Sequence, residues 1–163
     1  GAGAASIKDS QDGVDDMSQI RALEFFGGYK YNDALGIELR LGKGRTTGTS
    51  SFFFDDKGTV QNGSVEREVG NYTSLYYKPE LVNDEAKFYA LLGYTHVNTS
   101  GTVKDAAGKL VRSTDDSASG YSYGLGVGFV INEHFNINVE YKNLSDEISG
   151  KPNLASVNLD YRF

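Results

Sequence analysis

The chain has no cysteine and no tryptophan, two prolines and a single methionine among its 163 residues. Without cysteine no disulfide cross-links it, which fits an exported envelope protein. No apolar run approaches the ~20 residues that a membrane helix needs. That excludes a helical membrane protein but not a membrane barrel, whose strands carry their apolar residues in alternation and keep the mean hydropathy low; here it is −0.42. The net charge of −6 argues against a nucleic-acid partner held through its phosphates. No helix-period segment exceeds about ten residues. What the chain does have is Gly 20, Tyr 11 and Phe 9, a strand-and-turn composition rich in aromatics.

The last residues carry the sharpest pattern. Ala155, Val157, Leu159, Tyr161 and Phe163 point one way, and Ser156, Asn158, Asp160 and Arg162 the other, because side chains alternate across a strand. The apolar row ends on an aromatic, Phe163. In this the chain resembles the small outer-membrane β-barrel family of Gram-negative bacteria (the opacity-protein, OmpA-barrel and OmpX-like group). The resemblance implies that Phe163, with Tyr161, Leu159 and Val157 before it, is the signal read by the barrel-insertion machinery. It also implies a largely non-catalytic protein serving adhesion, serum resistance, envelope integrity or a very small pore.

Eight strand-like segments can be read along the chain. They cover 1–7, 20–31, 35–41, 65–78, 87–97, 120–131, 135–142 and the terminal strand. Their connections run long, short, long, short, long, short, medium. Asn32-Asp33 and Asn132-Glu133-His134 are tight turns, and 79–86 is a short link in which Pro79 is tolerated at a strand end. The Gly/Ser/Thr-rich stretch 43–64 and the polar stretch 99–119 are expected to be long loops. Short turns on one side and long loops on the other match an outer-membrane barrel. Residues 1–163 are therefore expected to form one domain, an all-β, eight-stranded antiparallel up-and-down transmembrane barrel. No signal peptide is visible, and the opening Gly1-Ala2-Gly3-Ala4-Ala5 suggests that the front of the first strand has been removed.

The two faces decide between membrane and water. One face collects Tyr29, Tyr31, Tyr77, Phe88, Tyr94, Tyr121, Tyr123, Phe135, Tyr141, Tyr161 and Phe163 near strand ends, where interfacial girdles lie. The other collects Glu24, Lys30, Glu38, Arg40, Glu140, Lys142, Asp160 and Arg162, with acids and bases in equal number. An eight-stranded lumen is just wide enough for side chains to fill, so these charges are expected to pair across it. Small inward residues, Ser122, Gly124, Gly126 and Gly128, leave them room. The alternative is a soluble ligand-binding barrel with the aromatics inside, but no capping helix or ligand pocket is legible.

Other motifs carry less. Gly124-Leu125-Gly126-Val127-Gly128 lies within a strand, whereas a dinucleotide fingerprint needs a strand-to-helix turn. His96 and His134 show no metal spacing, so no metal or cofactor is expected. A lipid hydrolase with His and Ser on one strand finds only His96-Val97-Asn98, with Ser100 further along, and no catalytic residue is assigned. Asp9, Asp12, Asp15 and Asp16 form a solvated acidic loop, with cation bridging to lipopolysaccharide phosphates as a lesser reading. Phe52, Phe53 and Phe54 are an upward extension of the barrel strands, a contact for a host or envelope partner, or an insertion at the lipid surface. The expectation is a non-enzymatic, integral outer-membrane barrel. Its partners would be lipid, lipopolysaccharide and the insertion machinery, and its loops would serve adhesion or envelope integrity. The alternative is a narrow porin-like channel.

Overall fold

The computed structural model describes residues 1–8, 19–45, 48–56, 59–83, 85–104, 110–144 and 153–163. Nine strands follow in chain order: β1 (Ala2–Lys8), β2 (Gln19–Asn32), β3 (Leu35–Gly44), β4 (Gly48–Asp56), β5 (Thr59–Val82), β6 (Ala86–Lys104), β7 (Leu110–Val130), β8 (Phe135–Asn143) and β9 (Asn153–Tyr161). All neighbours are antiparallel, in the order β3-β2-β1-β9-β8-β7-β6-β5-β4, and a further β3–β5 pairing joins the ends. The result is the closed eight-stranded barrel that alternation implied. Closure is a physical requirement, since lipid offers no hydrogen-bond partner to an open sheet edge.

The ninth strand is a correction to the expected loop at 43–64. β4 pairs only with β5, from Gly48↔Arg67 to Asp56↔Thr59, and continues the wall upward beyond β3. The stretch 99–119 is likewise strand over most of its length, with β6 and β7 paired from Ala86↔Phe129 up to Lys104↔Leu110. These segments read as loops because a strand that leaves the membrane no longer divides lipid from lumen. Their polar, Gly- and Ser-rich composition then carries no alternation. At the other end β5 continues past Lys78 to Val82, so the link after it is shorter than 79–86 and Glu80 is a strand residue.

The short turns share one device. Asn32 Oδ1 accepts the Ala34 N–H at 2.9 Å. Asn83 Oδ1 accepts the N–H of Glu85 and Ala86, and Asn132 Oδ1 those of His134 and Phe135. In each case an Asn side chain stands in for the backbone acceptor and closes the hairpin locally.

Orientation follows from burial. Leu125 is 71% and Tyr121 77% exposed, whereas Arg40 and Glu24 are 0% exposed. The apolar residues face away from the barrel, toward lipid, and the charged ones face into it. Three lumenal tyrosines fill the tube, each registered opposite a glycine: Tyr72↔Gly42, Tyr76↔Gly93 and Tyr89↔Gly126. A Cβ on Gly42 or Gly126 would run into the facing ring. Gly27, on the outer face, has open space around it. Gly126→Val should therefore lower the unfolding free energy by about 1–3 kcal/mol, whereas Gly27→Ala should stay within about 0.5 kcal/mol. Urea titration in vesicles, followed by heat-modifiable gel migration, measures both.

Candidate functional site: a layered lumen and a projecting sheet

The lumen is stacked in layers. At the outer end Ala5, Ile7, Ala22, Val69, Val97, Leu144 and Leu154 pack into an apolar lid, with Tyr72 on its underside. Sequence reading had assigned the inward face to polar groups and missed this lid. Its signal was present, because Ile7 and Leu154 hold inward phase at the tops of β1 and β9.

Beneath the lid lies the charged layer. The Arg40 guanidinium donates through Nη1 to Glu24 Oε1 at 2.7 Å and to Glu140 Oε2 at 2.5 Å. Its Nη2 reaches Glu140 Oε1 at 2.9 Å and its Nε reaches Glu38 Oε1 at 2.6 Å. Lys142 Nζ donates to both oxygens of Glu24, at 2.6 and 2.8 Å. Tyr72 OH donates to Glu24 Oε2 at 2.7 Å and Tyr89 OH to Glu140 Oε1 at 2.5 Å. Lys78 Nζ holds the second oxygen of Glu38 at 2.9 Å. The Arg40 guanidinium also lies over the Phe26 ring, 4.9 Å from its centroid. Three carboxylates face three cations here, every one buried. A neutral belt of Ser74, Thr95 and Ser122 lies alongside, with Thr95 Oγ1 2.7 Å from each serine hydroxyl.

The eight charges named from sequence do not form one network. Glu24, Glu38, Arg40, Glu140 and Lys142 meet in the buried layer. Lys30, Asp160 and Arg162 sit lower, at the mouth. There Lys30 pairs with Glu80, Lys87 Nζ donates to Asp160 Oδ2 at 2.8 Å, and Arg162 is exposed with Glu80 at 3.9 Å. Lys78, Glu80, Lys87 and the tyrosines Tyr72, Tyr76 and Tyr89 were not foreseen. Tyr77 on the aromatic face already implied Tyr76 and Lys78 on the other, but pairing partners depend on register across strands. Below the charged layer a cavity of ≈ 770 Å³ opens at the short-turn end, lined in part by Phe26, Lys30, Lys78, Glu80, Lys87 and Asp160.

On the outer face, Val157, Leu159, Tyr161 and Phe163 form one exposed row, with the Tyr161 ring edge-on to Phe163 and to Phe135. His96 and Ser119 are opposite one another on β6 and β7, with Nδ1 and Oγ 2.6 Å apart. Sequence spacing on one strand did not reveal this pair. Phe52, Phe53 and Phe54 belong to β4, opposite Gly63, Asn62 and Gln61, and their side chains lie outside the described residues. The acidic stretch Asp9, Asp12, Asp15 and Asp16 also lies outside them.

The model of the outer membrane protein beta-barrel domain matches residues 1–163. The chain belongs to that family. It is accordingly an integral protein of the Gram-negative outer membrane. Neisserial surface protein A shares its fold at a TM-score of 0.58 and 13% identity, over 99% of this chain and 94% of that one. The N-terminal β-barrel domain of Pseudomonas aeruginosa OprF does so at 0.56 and 12%, over 99% and 96%. Ail, the attachment invasion locus protein of Yersinia pestis, solved with the heparin analogue sucrose octasulfate, does so at 0.54 and 21%, over 99% and 95%. No curated protein matches the chain in sequence.

Arg40→Met would strand Glu24, Glu38 and Glu140 around an apolar side chain. It should cost this outer-membrane barrel about 3–5 kcal/mol, the usual penalty for breaking a buried ion cluster. Tyr72→Phe removes one hydrogen bond to Glu24 and should cost about 1–3 kcal/mol. Both are read from urea unfolding midpoints in vesicles, and adding Glu140→Gln to Arg40→Met should recover part of the loss.

Proposed function

We propose that this protein is a non-enzymatic surface adhesin-type barrel that binds a partner through the sheet standing above the membrane. The observation that carries this reading is the inequality of the strands. β1, β8 and β9 have 7, 9 and 9 residues. β5, β6 and β7 have 24, 19 and 21. A tilted strand crosses the membrane in about ten residues, so β5 to β7, with 24, 19 and 21, have about 30–45 Å of strand to spare at ~3.3 Å per residue. With β4 they form a four-stranded sheet on one side of the barrel rim.

The lumen supports the same reading. A tube closed by an apolar lid and a salt-bridged layer is poorly suited to conduction, which leaves the exterior as the working surface. The hydrolase alternative lacks parts. Among the described residues no carboxylate is bonded to His96, the orienting partner that a Ser–His pair needs. The polyanion bound by Ail transfers poorly. The sequence between β1 and β2 carries Asp9, Asp12, Asp15 and Asp16, and the projecting β7 exposes Asp115 and Asp116, which favours a neutral or basic partner. Phe52, Phe53 and Phe54 are the apolar candidates for the contact, and the outward row Val157, Leu159, Tyr161 and Phe163 is the candidate for docking by the insertion machinery.

Removing 99–116, the upper β6–β7 hairpin, and joining Asn98 to Ser117 through an Asn-Gly turn should abolish adherence of expressing bacteria to cultured cells while heat-modifiable migration is kept. Adherence unchanged by that trimming and by Phe52/Phe53/Phe54→Ser would overturn the adhesive reading. In planar bilayers the intact barrel should give no steady conductance, and Arg40→Ala should raise it.

A further inference from the structure

The lumen treats its inward glycines in two ways. The gaps left by Gly42, Gly93 and Gly126 are each closed by a tyrosine ring. Toward the short-turn end, Gly28 and Gly36 also face inward, opposite Glu38 and Lys30. No ring enters there. A Cβ on either would meet only facing backbone and the stem of Glu38 or Lys30. This bare stretch of β2 and β3 forms part of the wall of the ≈ 770 Å³ cavity, a size that takes a small organic ligand.

The charges at the mouth of the cavity are unevenly matched. Lys30 Nζ and Arg162 Nη2 both address one oxygen, Glu80 Oε1. Lys30 holds it, whereas Arg162 stands 3.9 Å away, too far for a hydrogen bond. Asp160, the other acid at this level, is taken by Lys87 through Oδ2, and its buried Oδ1 has no donor. Three cations thus share two carboxylates, and the guanidinium left over is half exposed and lines the cavity. The rim outside is acidic. Asp33, Glu85 and Glu133 stand exposed in the three short turns, and Asp33 also lines the cavity. Among the described residues none of these three acids has an ion-pair partner. Such a rim repels a free inorganic anion. A molecule that carries a carboxylate and an ammonium together answers both the inner cation and the outer acids.

We infer that this well is a binding site for a short zwitterionic peptide entering from the periplasmic side, the side of the short turns. The peptide carboxylate lies between Arg162 and Lys30, where the guanidinium can donate two parallel hydrogen bonds. Its ammonium faces the rim acid Asp33, and its N–H groups supply the donor that Asp160 lacks. The bare wall at Gly28 and Gly36 gives its backbone room. The site needs only the outer-membrane placement of the chain and is independent of what the projecting sheet binds.

The test uses the full chain, isotope-labelled and folded in phosphatidylcholine nanodiscs, titrated with trialanine bearing free ends while amide shifts are followed by NMR. Gly28, Gly36 and Arg162 should shift saturably, with a dissociation constant on the order of 1 mM, and Gly42, whose gap is filled by Tyr72, should not. Trialanine amide, which lacks the carboxylate, and N-acetyl-trialanine, which lacks the ammonium, should each bind on the order of tenfold more weakly. R162Q should weaken the free peptide by a similar factor, G36L should abolish its binding by filling the bare wall, and R112Q, far up the projection, should change nothing. Heat-modifiable migration checks that each variant folds. Should R162Q or G36L fail to fold, the two capped peptides decide alone. No saturable shift at Gly28 and Gly36, or equal binding of free and capped peptides, would overturn the site. Acetate binding as tightly as trialanine would overturn its assignment to a peptide.

Discussion

A guanidinium taken out of water loses hydration that only closely placed acceptors can replace. Arg40 meets that demand with carboxylates delivered by three strands: Glu24 on β2, Glu38 on its own β3 and Glu140 on β8. Lys142 from β8 and Lys78 from β5 then balance the charge. The cluster thus ties together strands that are not neighbours in the sheet. It depends on the barrel being closed, because the carboxylates converge only when β3 has paired with β5. Backbone pairing and lumenal pairing therefore enforce one another, and neither is complete without the other.

The tyrosines add a steric register to this ionic one. Each lumenal ring of Tyr72, Tyr76 and Tyr89 occupies the space left by a glycine on the adjacent strand. Sliding β3 or β7 by one residue would replace that gap with an outward-type side chain and reverse both faces at once. An eight-stranded tube filled in this way has no freedom to widen, which separates it from larger barrels with open channels.

Much of the barrel was legible in the sequence because a membrane-spanning strand has two unlike solvents. Leu125, Val127 and Phe129 against Gly124, Gly126 and Gly128 leaves only one way to face. Where a strand rises above the membrane the two solvents become alike, and residues such as Ser100, Thr102 and Ser113 carry no periodicity to read. That is why 48–56 and much of 99–119 resembled loops. The partners of the charges were hidden for another reason. Lys87 and Asp160, or Arg40 and Glu140, are far apart in the chain, and their meeting is set by the tilt and closure of the sheet.

The order of the layers also gives the molecule a direction. The greasy stopper of Ile7, Leu144 and Leu154 sits toward the outside world, and the wet recess lined by Lys30, Glu80 and Lys87 opens toward the cell. The protein is a blind well with its mouth facing inward. Approached from the medium, the ionic layer lies behind hydrocarbon, so a charged solute would have to pass side chains that offer it no partner before it reached one that does.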